Sequence, residues 1–201
     1  MTTVGFVVGD EPILEMTLTP IKLKRALGIR GWMSAEELAW LATHAQQAQV
    51  IVEVGSFLGR STRALGDNCP GVVHAVDPWP DEAAADDVVG QTFHYPDKFS
   101  GFVTNVGDLI QAGKIVPHRT TFKEGLFPLA SADMVFIDGD HSYEAVMNDI
   151  RVAMGILKPG GILSGHDYSP RDPGVVQAVN EVFGGGENAG LCDSIWWGFR
   201  P

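Results

Sequence analysis

Gln49-Val50-Ile51-Val52-Glu53-Val54-Gly55-Ser56-Phe57-Leu58-Gly59-Arg60-Ser61-Thr62 is the stretch on which the fold turns. A β-branched apolar run, short enough for a buried strand, runs into two glycines, and a helix through Leu65 follows. Strand, glycine turn and helix make one unit of an α/β fold. Glycines at such a turn let a ligand approach backbone amides without meeting a Cβ. The spacing is not the GxGxxG of a dinucleotide site, because Ser56 to Leu58 separate the glycines and Glu53 precedes them. A carboxylate there suits a ligand bearing an amino group better than one bearing phosphates.

The unit repeats downstream. Val72-Val73-His74-Ala75-Val76 reads as a second strand ending at Asp77-Pro78-Trp79, and a helical segment covers Phe99 to Gln111. A third strand is expected over Ile115 to Phe122 and a fourth over Met134-Val135-Phe136-Ile137, closed by Asp138-Gly139-Asp140-His141. The helix from Tyr143 to Leu157 carries Ala145, Val146, Ile150, Ala153 and Met154 on one side and stops at Lys158-Pro159-Gly160-Gly161. Ile162-Leu163-Ser164-Gly165 is a fifth strand ending at His166-Asp167-Tyr168; a helix over Val175 to Phe183 and a closing strand, Ser194 to Phe199, complete the pattern. Trp196 and Trp197 should fill the sheet's two faces, because successive strand residues point opposite ways. Upstream, Ser34 caps a helix and Glu37 closes its capping box. Residues 79–98 carry no readable pattern, and 80–100 are the candidate for a lid over the substrate.

Alternation of this kind predicts a Rossmann-like, doubly wound, mostly parallel sheet of about seven strands with helices on both faces. Its domain spans residues 31–201, after an N-terminal extension over 1–30. Ligands in such folds bind beyond the carboxyl ends of the strands. Glu53, Asp77, Asp138 and His166-Asp167 all fall at those ends, so one crevice should collect them.

Composition narrows the partners. Twenty-five acidic against 14 basic side chains give a net charge of −11, which repels nucleic acid. No apolar run is long enough to span a bilayer, and the start of the chain lacks a secretory signal, so a cytoplasmic location is expected. Cys69 and Cys192 have no metal-ligand spacing and read as buried reduced thiols. The 45% apolar content suffices for a single core.

Asp77 stands 24 positions after Glu53, where an acid can accept hydrogen bonds from both hydroxyls of a ribose; the alternative is an ordinary turn aspartate before Pro78. Together the two acids suggest a nucleoside without phosphates. Asp138 and Asp167, on neighbouring strand ends with His166 beside them, are the preferred ligands, because a hard cation such as Mg²⁺ takes carboxylate oxygens. His166 is either a ligand or a hydrogen-bonding neighbour.

The ordered motifs, ExGxxxG, HAVDPW, IDGDHSYE, LKPGGILSGHDY and the final IWW, resemble those of class I S-adenosylmethionine-dependent methyltransferases. Within that class the chain is similar to short metal-dependent O-methyltransferases related to macrocin and mycinamicin sugar methyltransferases. The resemblance implies that Glu53, Gly55 and Gly59 surround the methionine part of S-adenosylmethionine and that Asp77 binds its ribose. Ser56 and Ser61 would hydrogen-bond nearby, and Thr121, with Thr120, would line the adenine pocket. Trp79 would either pack on the nucleoside or belong to the core.

By the same resemblance His141 is the general base, with Asp140 as its alternative and a solvent-facing helix-cap role as the bland one. An imidazole with a pKa near 6.5 accepts a proton around neutral pH, an effect worth about 10²- to 10⁴-fold. Similar enzymes carry an acid or asparagine where this chain has His166, a departure that favours Mn²⁺ or Fe²⁺ over Mg²⁺. The implied partner is a small hydroxylated substrate, a sugar or a phenol, and a homo-oligomer is compatible with the sequence. A non-catalytic S-adenosylmethionine-binding module and a nicotinamide-dependent oxidoreductase are the competing readings.

Overall fold

The computed structural model describes residues 19–80, 97–184 and 189–201. Seven strands form one sheet: β1 Val50–Val54, β2 Val72–Asp77, β3 Ile115–Arg119, β4 Ala132–Ile137, β5 Leu157–Gly165, β6 Gly190–Cys192 and β7 Ile195–Phe199. Their order is β3-β2-β1-β4-β5-β7-β6. The first five are mutually parallel, β7 runs antiparallel to β5, and β6 runs antiparallel to β7. Strand order reverses between β1 and β4, which opens the crevice at their carboxyl ends.

The helices are α1 Lys24–Leu27, α2 Ala35–Ala45, α3 Arg60–Asn68, α4 Lys98–Gln111, α5 Tyr143–Ile156 and α6 Pro173–Phe183. Ser34 caps α2 as expected: its Oγ accepts from the Glu37 N–H, and Glu37 Oε2 accepts from the Ser34 N–H at 2.7 Å. One core lies on the face with Ile51, Leu41, Leu65 and Phe102, the other on the face with Val52, Val135, Ile150 and Val179. Trp196 joins the second core and Trp197 packs against the first, the two-faced arrangement that strand alternation requires.

Several boundaries differ from the sequence reading. β3 ends at Arg119 rather than Phe122, so residues 120–122 leave the sheet. Lys158 to Gly161 belong to β5, with a register irregularity opposite Ala132 and Met134. β6 and α1 carried too few residues to show a period. Ala26, within the expected N-terminal extension, is buried in the first core, and the Arg60 guanidinium donates to the carbonyls of Leu27, Ile29 and Met33. Cys69 is buried but Cys192 is only half-buried; both are free thiols. Most of the lid candidate, residues 81–96, lies outside the described residues.

Candidate active site

A crevice of about 1030 Å³ runs across the carboxyl ends of β1, β2, β4 and β5. At one end the glycine turn ties Asp77, which lines the crevice, to Glu53, whose buried side chain does not line it. Glu53 is fully buried, and its Oε2 accepts from Ser56 Oγ at 2.6 Å and from Thr62 Oγ1. Its Oε1 has no hydrogen-bond partner. Burial raises the Glu53 carboxyl above its ordinary range, and the Asp77 charge adds to the rise against hydroxyl donors that lower it. Asp77 Oδ2 accepts from the Ser56 and Phe57 N–H groups at 3.0 and 2.9 Å, while Oδ1 accepts from the Trp79 N–H at 2.6 Å. Ser56 therefore bridges the two acids, its hydroxyl to one and its amide to the other.

Not every expected residue faces this space. Gly55 lines the crevice, but with φ at +84° a Cβ there would lie 1.9 Å from the Asp138 carbonyl oxygen. The bare Cα is needed for the chain to pass the Asp138 carbonyl, a second requirement beside the approach of a ligand. Gly59 caps α3 at φ +86°, and a Cβ would press on Val106 and Phe102 of α4, so it shapes the turn from behind. The Trp79 ring is a core residue, 1% exposed, with centroids 5.1 and 4.7 Å from Phe99 and Phe102. Its Nε1 donates to the Phe57 carbonyl at 2.7 Å, which steadies the turn without touching the crevice. Ser56, Ser61 and Thr121 do line it.

At the other end Asp138, His141 and Asp167 bring one donor atom each to within 4.8 Å of one another. Among the described residues this is the group suited to a metal, and it differs from the expected set by exchanging His166 for His141. His141 Nε2 lies 3.0 Å from Asp167 Oδ2, and Nδ1 lies 3.0 Å from Asp172 Oδ1. His166 turns its Nε2 away, to Glu37 Oε1 at 3.0 Å, and keeps Nδ1 3.1 Å from Asp167 Oδ2. Ser194 Oγ completes that corner by donating to Glu37 Oε1 at 2.7 Å. Asp167 adopts a left-handed φ of +60°, a conformation aspartate tolerates better than most residues.

The charges follow from this geometry. Hydrogen bonding to Asp167 pushes His141 up to about 9 despite burial, with the Asp167 and Asp138 charges assisting. Burial opposes the His166 cation, but hydrogen bonds to Asp167 and Glu37 outweigh it and lift the ring to about 11. Burial would raise Asp167; its hydrogen bonds to the two imidazoles hold it well below the carboxylate range instead. Partial burial at the crevice floor pushes Asp138 upward, and the Asp167 charge contributes to that rise. Asp140 is lowered by the Ser142 backbone N–H that it accepts at 2.7 Å. In this arrangement carboxylates engage both nitrogens of the His141 ring and favour its charged form.

Glu37, Asp149 and Ser194 line the crevice without having been singled out for it. Asp149 had a readable signal, an acid inside the apolar stripe of α5 between Val146 and Ile150. Glu37 had none, since its capping box already explained it. His118, which carried no partner at a telling spacing, lies with its Nε2 3.0 Å from His74 Nδ1 across the β2–β3 pairing, away from the crevice.

A family described as a methyltransferase domain matches residues 52–168. The chain belongs to this family. The matched stretch runs from β1 to just past β5 and so includes both ends of the crevice. An uncharacterized protein, R132, of Acanthamoeba polyphaga mimivirus is 34% identical over 79 residues, which is 35% of this chain and 36% of that protein. Cofactor-bound Rv0187 from MTB superposes with a TM-score of 0.61 at 15% identity, over 89% of this chain and 87% of its own. The O-methyltransferase TomG from Streptomyces achromogenes, in complex with SAM, gives 0.54 at 17% identity, over 85% and 82%. An O-methyltransferase from Bacillus cereus in complex with SAH gives 0.56 at 14% identity, over 89% and 90%. At such identities these likenesses speak for the fold.

Proposed function

We propose that this methyltransferase takes S-adenosylmethionine as donor and methylates a hydroxyl oxygen of a small molecule, a sugar or a phenol, with help from a divalent cation. The observation that carries the reading is the unpartnered Oε1 of Glu53, a carboxylate oxygen sealed from water beside Asp77. A buried acceptor without a donor costs about 1–3 kcal/mol, which a ligand's ammonium N–H removes. Asp77 Oδ1 accepts only the Trp79 amide and so retains acceptor capacity for a ribose hydroxyl, whereas Oδ2 already holds two amides. Two relatives by fold carry SAM or SAH in their described complexes, which supports the same donor here.

Asp138, Asp167 and His141 Nε2 fit a cation that accepts both carboxylate oxygen and imidazole, Mn²⁺ more readily than Mg²⁺. When bound, such an ion orients the acceptor and favours its ionised form. With Nε2 given over to the cation, His141 cannot also take the acceptor's proton at that atom, so ligand and base are alternative roles for one ring. The chain's own task is then to hold the sulfonium and the oxygen in line and to keep water out.

The test is transfer of labelled methyl from S-adenosylmethionine to a panel of sugars and phenols, with and without chelator. Chelation should reduce transfer at least tenfold, and Mn²⁺ should restore it. Calorimetry showing no binding of S-adenosylhomocysteine would overturn the reading outright.

A further inference from the structure

Away from the crevice, His74 of β2 and His118 of β3 are held in a geometry that methyl transfer does not use. They project from the same face of the sheet, because His118 stands opposite Val76 and strand alternation turns residues 74, 76, 116 and 118 the same way. His74 Nδ1 lies 3.0 Å from His118 Nε2, with ring centroids 5.1 Å apart. Phe127 packs against both rings, at 5.1 and 5.3 Å between centroids, and so restricts their rotation. Both histidines are half-buried, which leaves the pair within reach of solvent beside β3, the edge strand of the sheet. Burial lowers both imidazoles below their ordinary value, and at His74 the neighbouring ring adds to the fall. Their lone pairs are therefore available near neutral pH.

Such a pair can share a proton as a hydrogen bond, or it can share an ion. Two nitrogens each about 2.0–2.1 Å from one ion, at an angle between the square and the tetrahedral, stand about 2.8–3.4 Å apart. The observed 3.0 Å falls inside that window, so an ion can enter without moving either strand. The shared proton then shifts to the outer nitrogen of its ring, and both imidazoles stay neutral. We propose that His74 Nδ1 and His118 Nε2 chelate a late first-row transition-metal ion, Zn²⁺ or more tightly Cu²⁺, that staples edge strand β3 to β2. Imidazole suits these ions, and water fills the remaining positions. Two nitrogen donors here and a carboxylate-rich set of three in the crevice select different ions. This site needs no methyl donor and stands or falls independently of the proposed function.

The experiment uses tag-free protein carrying His141→Ala, so that the crevice contributes no more than the single imidazole of His166. Substoichiometric Cu²⁺ should give an electron paramagnetic resonance spectrum with hyperfine structure from two nitrogens. Adding His74→Asn or His118→Asn should reduce that structure to one nitrogen or none. Calorimetry with Zn²⁺ should show affinity falling at least about 100-fold in either variant, because a chelate makes its second bond intramolecularly. Zn²⁺ at about 100 times its Kd should raise the unfolding midpoint of the parent by about 5–10 °C, a shift that both variants lose. A one-nitrogen spectrum, or a Zn²⁺ affinity that survives either substitution, would overturn the inference and leave the pair as a hydrogen bond alone. Where a variant fails to fold, the nitrogen count in the parent protein decides.

Discussion

A methyl group placed on Gly55 would stand 1.9 Å from the Asp138 carbonyl oxygen, at a φ of +84° that disfavours any side chain. Gly113 offers the control, since its φ is +70° but nothing lies within 4 Å of an added Cβ. Gly113→Ala should cost only the left-handed penalty of about 1–2 kcal/mol. Gly55→Ala adds a backbone clash that must displace β4, so a loss above about 4 kcal/mol is expected. Urea unfolding of the two variants checks this, and similar midpoints would contradict it. Glu37 makes a second case at this scale. Burial would raise its carboxyl, but hydrogen bonds from His166, Ser194 and Ser34 hold it at about 2 against an ordinary 4.5. Between those values the unfolded chain binds the extra proton, so Glu37 stabilises the fold fully above about pH 4.5 and loses that contribution as pH falls toward 2. Glu37→Gln should therefore lower stability at pH 7 by about 3 kcal/mol, the cost of breaking a buried pair, and flatten the acid limb. A variant whose acid limb matches the wild type would show that the Glu37 carboxylate is not what acid removes.

At the scale of single elements, the sequence is most legible where two signals coincide. Strand β1 has β-branched residues and a glycine stop, α2 has its capping box, and β4 ends at an acid. Elements without such overlap were missed or shortened. β6 has three residues, α1 has four, and Lys158-Pro159-Gly160-Gly161 reads as a helix stop although it pairs within β5. Helix α3 hides a further feature, because Arg63 in its middle looks like a surface residue but is 1% exposed. Its Nε and one NH₂ group donate to the two oxygens of Asp67 at 2.9 Å, and Asp108 of α4 completes the cluster. Salt bridges at surfaces contribute little, but a guanidinium already buried depends on its partners. Asp67→Ala should destabilise the fold by about 3 kcal/mol, whereas replacing Asp67 with Asn, which keeps an acceptor, should cost less. Chemical denaturation of both variants measures the difference, and equal losses would mean that charge rather than hydrogen-bond acceptance sets the cost.

Across the whole molecule, the crevice collects residues from β1, β2, α2, α3, α5, the loops after β3, β4 and β5, and the turn before β7. The acids at strand ends could be foreseen, because a parallel sheet places all its carboxyl ends on one side. Which histidine joins them could not. His166 follows β5 directly and was the natural ligand; the Glu37 carboxylate, 129 positions earlier, takes its Nε2, while its Nδ1 stays 3.6 Å from Asp138 Oδ1 and 3.1 Å from Asp167 Oδ2. His141 reaches Asp167 only because the loop after β4 folds over the strand end. The net charge of −11 gathers cations toward this acidic crevice, an attraction that salt screens. Mn²⁺ titration followed by calorimetry or electron paramagnetic resonance should thus separate the two rings. His141→Ala should weaken binding by about 10- to 100-fold and Asp167→Asn by at least as much, while His166→Gln should change it less than about threefold. Raising salt from about 0.05 to 0.5 M should weaken the wild type severalfold, because the Debye length falls from more than about 10 Å to a few ångströms. Binding must also release the proton that His141 holds up to about pH 9, so heat measured in buffers of different ionisation enthalpy should report proton release in the wild type. If His166→Gln abolishes binding and His141→Ala spares it, the cation sits deeper, against Glu37, and His141 is returned to the role of base.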